Sequence, residues 1–362
     1  PKDVERVYRL FAEHDKVVTV FSQGVNQSSS GVDKGNALIN CHLATGKIGK
    51  PGATPFSITG QPNAMGGREV GGLANQLAAH MGYDNPESIE RVERFWQASN
   101  MARREGLKAV DMFDAIHDGK IKAVWIMATN PAVTMPDAGK VREALRKCDL
   151  VMVSDCIGNT DTAKLADVVL PASTWSEKHG TVTNSERCIS LQQGFLQPPC
   201  EALHDWQIIA RFAATLGFAK HFNYRHPVEI FREHAALSAL DNTDSAARRG
   251  FNIAALANIS EQDYQNLSPI QWPVTADAPE GTKRLFADGQ FFTADRRARL
   301  VPVTARLPEK TALPNQVIMN TGRIRDQWHT MSRTGTAAKL LGHVDEPYID
   351  VHPDDIARFG LC

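Results

Sequence analysis

No apolar run in this 362-residue sequence approaches the roughly 18 residues that a membrane-crossing helix requires, so no such helix is encoded. Charge of one sign is also lacking. Forty basic and 41 acidic residues leave a net charge of -1, and no global field draws the chain to nucleic acid or to an anionic membrane. Cysteine is sparse: Cys41, Cys148, Cys156, Cys188, Cys200 and Cys362 form no CxxC, and the 12 histidines form no HExxH. Within this sequence no zinc or iron–sulfur site is readable, and no residue is taken as a metal ligand. No GxGxxG follows a strand-like run, which argues against an ordinary nicotinamide-dependent dehydrogenase. The opening PKDVERVYRLFAEHDK has charges inside every apolar stretch and reads as an amphipathic helix, not a signal peptide. Reduced thiols in a cytoplasmic protein are the expectation.

What the sequence does have is 42% hydrophobic residues, enough for two or three domains with real cores, and an unusual local enrichment of small polar residues. GVNQSSSGVDKGNALINCHLATGKIGKPG (Gly24–Gly52) and TPFSITGQPNAMGGREVGG (Thr54–Gly72) concentrate Gly, Asn, Gln, Ser and Thr. A long surface connection would account for this composition. So would a large polar ligand, held by backbone amides where the chain approaches it closely.

The order of elements is that of an α/β protein with a doubly wound parallel sheet. KVVTVF (Lys16–Phe21) reads as a buried strand ending in a polar turn, and residues 35–45 as the helix after it, stopped at Gly46. Pro86 opens a helix with Ile89, Val92, Phe95 and Trp96 on one face. A helix over Val110–His117 and a strand within Ile121–Pro131 come next, then a helix over Asp137–Lys147, a strand within Asp149–Thr160 and another within Ala166–Ser173. Asp205–Phe218 reads as a core helix, Arg284–Val301 as a hairpin turning at Asp288-Gly289, and Gln316 as the start of a strand. Gly180 and Asn184 are expected at turns.

In parallel sheets the ligand lies beyond the carboxyl ends of the strands. That rule selects Thr129 and Asn130 after one strand, Ser154 and Asp155 at the end of the next, and Ser173 after the third. Asp155 is placed to accept from a ribose hydroxyl or a guanine edge. Each residue taken singly is better explained as a helix cap or an Asx turn, and it is three such tips in succession that favour a ligand.

Five segments together resemble the molybdopterin oxidoreductases of the dimethyl-sulfoxide-reductase type, and within them the bacterial assimilatory nitrate reductases. They are the two polar stretches above, ATNPAV, VSDCIGNTDTAKLADVVLPASTWSEKHGTVTNSERC and TGRIRDQWHTMSRTG. The resemblance implies a bis-molybdopterin guanine dinucleotide cofactor with molybdenum, nitrate as substrate and an electron-donor protein or reductase subunit as partner. It implies that Gly24, Asn26, Gln27, Gly60, Gln61, Asn63 and Met65 lie around the cofactor near the metal. Thr129, Asn130, Ser154 and Asp155 would hold one nucleotide tail, and Thr321, Gly322, Arg323 and His329 the other. Arg68, in the REVG segment, would face the metal pocket and orient the anion.

Formate dehydrogenases resemble this chain around VDKGNAL but carry an active-site arginine where Asn36 stands, which favours nitrate over formate; another oxyanion or a noncatalytic scaffold are the alternatives. Cys41 falls mid-helix where relatives place an apolar residue and reads as core packing. By the same resemblance residues 1–75 belong to one cofactor-binding α/β domain, 76–307 to a second, and 313–362 to the start of a β-barrel domain that binds the dinucleotide. The 4Fe-4S motif and the molybdenum-binding cysteine would precede Pro1.

Overall fold

The computed structural model describes residues 2–243, 248–306, 313 and 316–361. The chain forms two compact units: Pro1–Lys108, Thr174–Pro198 and Trp206–Thr311 make up one, Ala109–Ser173, Pro199–Asp205 and Ala312–Cys362 the other. The division at 75/76 expected from sequence falls inside the first unit. The expected division near Pro308–Pro314 lies almost wholly outside the described residues.

In the first unit, α1 (Lys2–Glu13) precedes β1 (Val18–Phe21), α2 (Gln23–Asn26), α3 (Gly31–Ala44) and β2 (Thr54–Ser57). β1 and β2 pair in parallel, Val18 opposite Thr54 and Phe21 opposite Ser57, so both strand tips point the same way. The strand, polar turn and helix lie where the sequence placed them, but the strand is not buried, with Val18 48% and Val20 58% exposed, and α3 starts at Gly31 instead of Gly35. A glycine is needed there because a Cβ would stand 2.3 Å from the Asn26 carbonyl oxygen where α3 folds back over α2. Gly46, at φ +63, stops the helix.

The chain continues through α4 (Ala64–Glu69), β3 (Gln76–Leu77), β4 (Met81–Gly82) and α5 (Pro86–Trp96). α5 begins at Asn85, whose side chain accepts from Glu87 N, and it buries Ile89 and Val92.

The second unit opens with α6 (Ala109–His117), β5 (Ala123–Met127), α7 (Pro131–Thr134), α8 (Ala138–Lys147), β6 (Leu150–Asp155) and β7 (Val168–Pro171). Its three strands are parallel and adjacent in chain order, β5-β6-β7. Phe113 and Ile116 of α6 and Val141, Ala144 and Leu145 of α8 pack on Val124, Ile126, Val151 and Val153 of the sheet. Asp137 caps α8 by accepting from Lys140 N. The α/β class with parallel sheets is therefore as expected. Within this three-stranded sheet the strand order does not reverse.

Back in the first unit, β8 (Gly180–Thr183) and β9 (Cys188–Gln192) form an antiparallel hairpin. Asn184 makes the turn, accepting from Glu186 N and Cys188 N, whereas Gly180 is the first strand residue and not a turn. α9 (Asp205–Ala213), α10 (Pro227–Ala239), α11 (Glu261–Gln265) and β10 (Ile270–Gln271) complete this part. The core of the unit gathers Leu77, Val92, Ile189, Phe231, Phe251, Ile253 and Trp272.

Two further sequence expectations fail. Arg284–Val301 forms no hairpin: Gly289 N closes a turn on Phe286 O and Phe286 stacks on Phe291, with ring centroids 4.8 Å apart. Ring stacking, not a ladder, organises that loop. Gln316–Asn320 is not a strand either, and Val317, Ile318 and Met319 are 60%, 78% and 81% exposed. A strand exists only where a neighbouring backbone completes its ladder, and no described segment pairs with this one. The second unit ends with α12 (Ala338–Leu341) and α13 (Pro353–Phe359), and no closed barrel is present among the described residues.

Candidate functional site

The first unit carries two separate polar features. One is formed by the tips of β1 and β2. The Ser22 hydroxyl donates to the Ile58 carbonyl, and Asn26 Nδ2 donates to Ser57 Oγ at 3.0 Å, so Gly24–Gln27 and Ile58–Gln61 are held side by side. Gly24, Asn26, Gly60 and Gln61 are exposed or half-buried there. A Cβ on Gly24 would meet nothing within 4 Å, and its φ is not left-handed, so neither packing nor backbone geometry within the chain requires a glycine. The same holds at Gly67, Gly158 and Gly322. Open space beside such glycines, next to neutral donors and acceptors, fits an extended polar ligand lying against the backbone.

The other feature is a cleft of about 770 Å³ whose walls include Met65, Arg68, His80, Tyr83, Arg103 and Arg104. Asp84 and Glu105 also line it, so three guanidinium groups face two carboxylates. Arg103 is paired with Glu93 at 2.5 Å, while among the described residues Arg68 lies in no ion pair. His80 presents one side to the cleft and packs its ring against Phe251 (5.3 Å between centroids) and Trp272 (5.6 Å). That desolvation, reinforced by the charges of Arg68 and Arg249, lowers its pKa and favours the neutral imidazole. The cleft is lined by Met65 and Arg68 and not by the tips of β1 and β2.

α4 presents Arg68 because both of its ends are fastened to β8. Asn63 Oδ1 accepts from Thr183 N at 2.8 Å before the helix starts, and Glu69 Oε2 accepts from Thr183 Oγ1 at 2.9 Å at its last residue. A Cβ at Gly66 would stand 2.1 Å from the Asn63 amide oxygen, so any larger residue there would force Asn63 away from Thr183. Glu69 is 4% exposed, and its Oε1 accepts from Trp272 Nε1 at 2.6 Å. Burial raises its pKa to about 7 against the opposing pull of those two hydrogen bonds. Asn63, itself exposed, therefore has its side-chain oxygen committed to the buried Thr183 backbone.

In the second unit the strand tips divide in the same way. Asn130, 8% exposed, accepts from Thr162 N at 3.2 Å and from Thr162 Oγ1 at 2.6 Å, tying the end of β5 to the loop after β6. Ser154, 2% exposed, accepts from Trp125 Nε1 at 2.7 Å. Asp155 Oδ1 closes an Asx turn on Ile157 N at 3.1 Å, and Thr129 is exposed.

The 321–336 segment meets the tip of β6 through Arg333, whose Nη2 lies 3.0 Å from Cys156 Sγ. Thr321 and Gly322 are exposed, Arg323 lies over the Trp328 ring at 4.8 Å, and His329 stands edge-on to the same ring at 4.3 Å. Sequence reasoning missed Glu69, His80, Arg103, Arg104 and Arg333. Glu69 had a signal, being a carboxylate beside Arg68 in the quoted REVG segment; the others had none.

The molybdopterin oxidoreductase family model matches residues 7–215. A nitrate reductase of Klebsiella oxytoca is 48% identical over 358 residues, covering 98% of this chain and 40% of that protein. A nitrate reductase of Shewanella frigidimarina is 46% identical over 357 residues, covering 98% and 38%. The F420-dependent formate dehydrogenase subunit alpha of Methanocaldococcus jannaschii is 35% identical over 352 residues, covering 96% and 48%. The chain thus spans less than half the length of each of these relatives.

Proposed function

This chain belongs to the molybdopterin oxidoreductase family, and from that premise we propose that it is part of a longer cytoplasmic catalytic subunit that reduces nitrate to nitrite with a bis-molybdopterin guanine dinucleotide cofactor. The observation that carries the reading is the Arg68 cleft, where a guanidinium outside any described ion pair is held on a rigid short helix. Nitrate, two protons and two electrons yield nitrite and water. The molybdenum–pterin group would supply the two-electron chemistry, with electrons arriving from a donor protein.

The chain's own residues bind and orient. Arg68, aided by Arg104, offers fixed positive charge to a planar anion, and the bidentate geometry of a guanidinium suits two of its oxygens. His80, kept neutral, donates or accepts one hydrogen bond without adding a charge that would hold the product anion. In the first unit Gly24, Asn26, Gln27, Gly60 and Gln61 would hold the cofactor through open backbone and neutral side chains, with Asn63 and Met65 supporting from α4. In the second unit Thr129, Asp155, Thr321, Gly322, Arg323 and His329 would meet nucleotide portions. There Asn130 and Ser154 would act by shaping the loops, since their side chains are engaged internally.

Formate oxidation by the same cofactor class is the second reading, favoured by the 35% identity to a formate dehydrogenase subunit and opposed by Asn36 at the position of an arginine in that group. The test is molybdenum and pterin analysis of the longer protein, with nitrite formation and formate oxidation assayed in parallel. Arg68→Ala should depress nitrate turnover at least about tenfold with molybdenum content retained. Loss of metal in that variant would place Arg68 in a structural role instead.

A further inference from the structure

The six-residue helix α4 is too short to hold its own orientation, because isolated helices well under a dozen residues are marginal in water. Three anchors converge on its final residue. The Glu69 carboxylate takes hydrogens from Thr183 Oγ1 and Trp272 Nε1, and its main-chain carbonyl accepts from Ala79 N at 2.7 Å. Ala79 and His80 are both left-handed, at φ 57 and 56, so the bend that carries His80 is tied to the same residue that follows Arg68. Thr183 also reaches the start of the helix through Asn63. Trp272 in turn packs edge-on against the His80 ring. Glu69 does not line the cleft itself.

From this geometry we propose that Glu69 is the positioning residue of the cleft: by accepting from Thr183 and Trp272 and from Ala79 N it fixes Arg68 relative to His80, both of which line it. The required property is a side chain that makes both hydrogen bonds, accepting the one from Trp272 Nε1 and pairing with the Thr183 hydroxyl in either direction. Glutamine preserves it: its amide oxygen accepts from the Trp272 indole, which can only donate, and its NH2 donates to the Thr183 hydroxyl, which can turn its hydrogen away. Alanine removes both side-chain bonds. Thr183→Val removes one of them while leaving the main-chain bond to Asn63 in place.

The kinetic consequence rests on the reading of the cleft as the anion site, and a chemical readout that does not rest on it accompanies the assay. In the metal-loaded longer protein, Glu69→Ala raises the nitrate KM about tenfold, with kcat and molybdenum content within about twofold of wild type, and Glu69→Gln restores KM to within about threefold. In parallel, phenylglyoxal labelling of Arg68 is followed by peptide mass spectrometry, with Arg142 on α8 as internal control. Labelling of Arg68 quickens several-fold in Glu69→Ala, less in Thr183→Val, and stays near wild type in Glu69→Gln.

Wild-type labelling of Arg68 in both Glu69→Ala and Thr183→Val overturns the proposal, and so does a Glu69→Gln variant as perturbed as the alanine. Joint loss of kcat and molybdenum in Glu69→Ala also overturns it, by making the residue a support for the whole fold or the cofactor. If Arg68→Ala leaves both nitrate turnover and nitrate KM unchanged, the cleft is not the nitrate site, while the labelling experiment still decides the role of Glu69.

Discussion

Replacing Glu69 by glutamine should stabilise the protein at alkaline pH and leave it nearly unchanged in acid. Burial raises the Glu69 pKa from 4.5 to about 7, so the folded state holds this proton more tightly than the unfolded chain does. A raised pKa gives stability that is fully present below the unfolded value and is lost as pH climbs through the folded one. The window is therefore pH 4.5 to 7, and a shift of 7 minus 4.5, at 1.36 kcal/mol per unit, corresponds to about 3 kcal/mol.

His234 acts in the opposite sense. Burial first, and the neighbouring His80 second, lower its pKa from 6.5 to about 4, so its contribution is lost as pH falls through that range. In the wild type the two slopes oppose each other between about pH 4.5 and 6.5 and mask one another. The glutamine variant removes the first slope alone. Urea midpoints of wild type and Glu69→Gln, with reversibility checked at each pH, should show the stability difference moving by about 3 kcal/mol in favour of the variant between pH 4.5 and 8. A difference that stays constant over that range, or moves the other way, refutes the claim that this carboxylate is held at a desolvation cost.

The glycines give a contrast within the same unit. Gly66→Ala should lose about 1–3 kcal/mol in urea denaturation, because the new methyl displaces Asn63 from Thr183. Gly24→Ala, where nothing stands within 4 Å, should stay within about 0.5 kcal/mol of wild type yet lower the pterin content of the purified longer protein; unchanged pterin would mean that the open space is not used. Leu145→Ala in α8, at a side chain 2% exposed, should cost about 2–5 kcal/mol by the same measurement, and a smaller loss would refute tight packing of α8 on β5 and β6.

Most of the α/β framework was legible because its signals are local and agree with one another. Pro86 after Asn85, Asp137 before the α8 periodicity and the β-branched runs at β1 and β6 each specify an element without help from distant residues. The failures lie where a partner decides. Asp288-Gly289 has the composition of a hairpin turn, but Phe286 finds Phe291 before two strands can pair. Gln316–Asn320 has the composition of a strand and lacks a neighbouring ladder among the described residues. Neither outcome is written in the segment itself. His80 was invisible for a related reason: its place on the cleft depends on two successive left-handed residues, and neither Ala79 nor His80 is a type that signals that conformation.

The polar residues at the strand ends were correctly located but could not be sorted by type. Asn63, Asn130 and Ser154 are each engaged by a buried or half-buried donor within reach, Thr183 N, the Thr162 amide and hydroxyl, and the Trp125 indole respectively, although Asn63 itself stays exposed. A buried donor left without an acceptor costs about 1–3 kcal/mol, so such a side chain is claimed by the fold before any ligand can use it. Thr129, Gly24 and Gly322 have no such claim visible on them, and what they offer is backbone and open space. Ligand recognition in both units would then fall mainly to main-chain groups and glycine surfaces, with the engaged side chains keeping the loops in shape. It follows that substitutions at Asn63 or Asn130 should first appear as lost stability and only then as lost cofactor, whereas Gly24→Ala should show the reverse order.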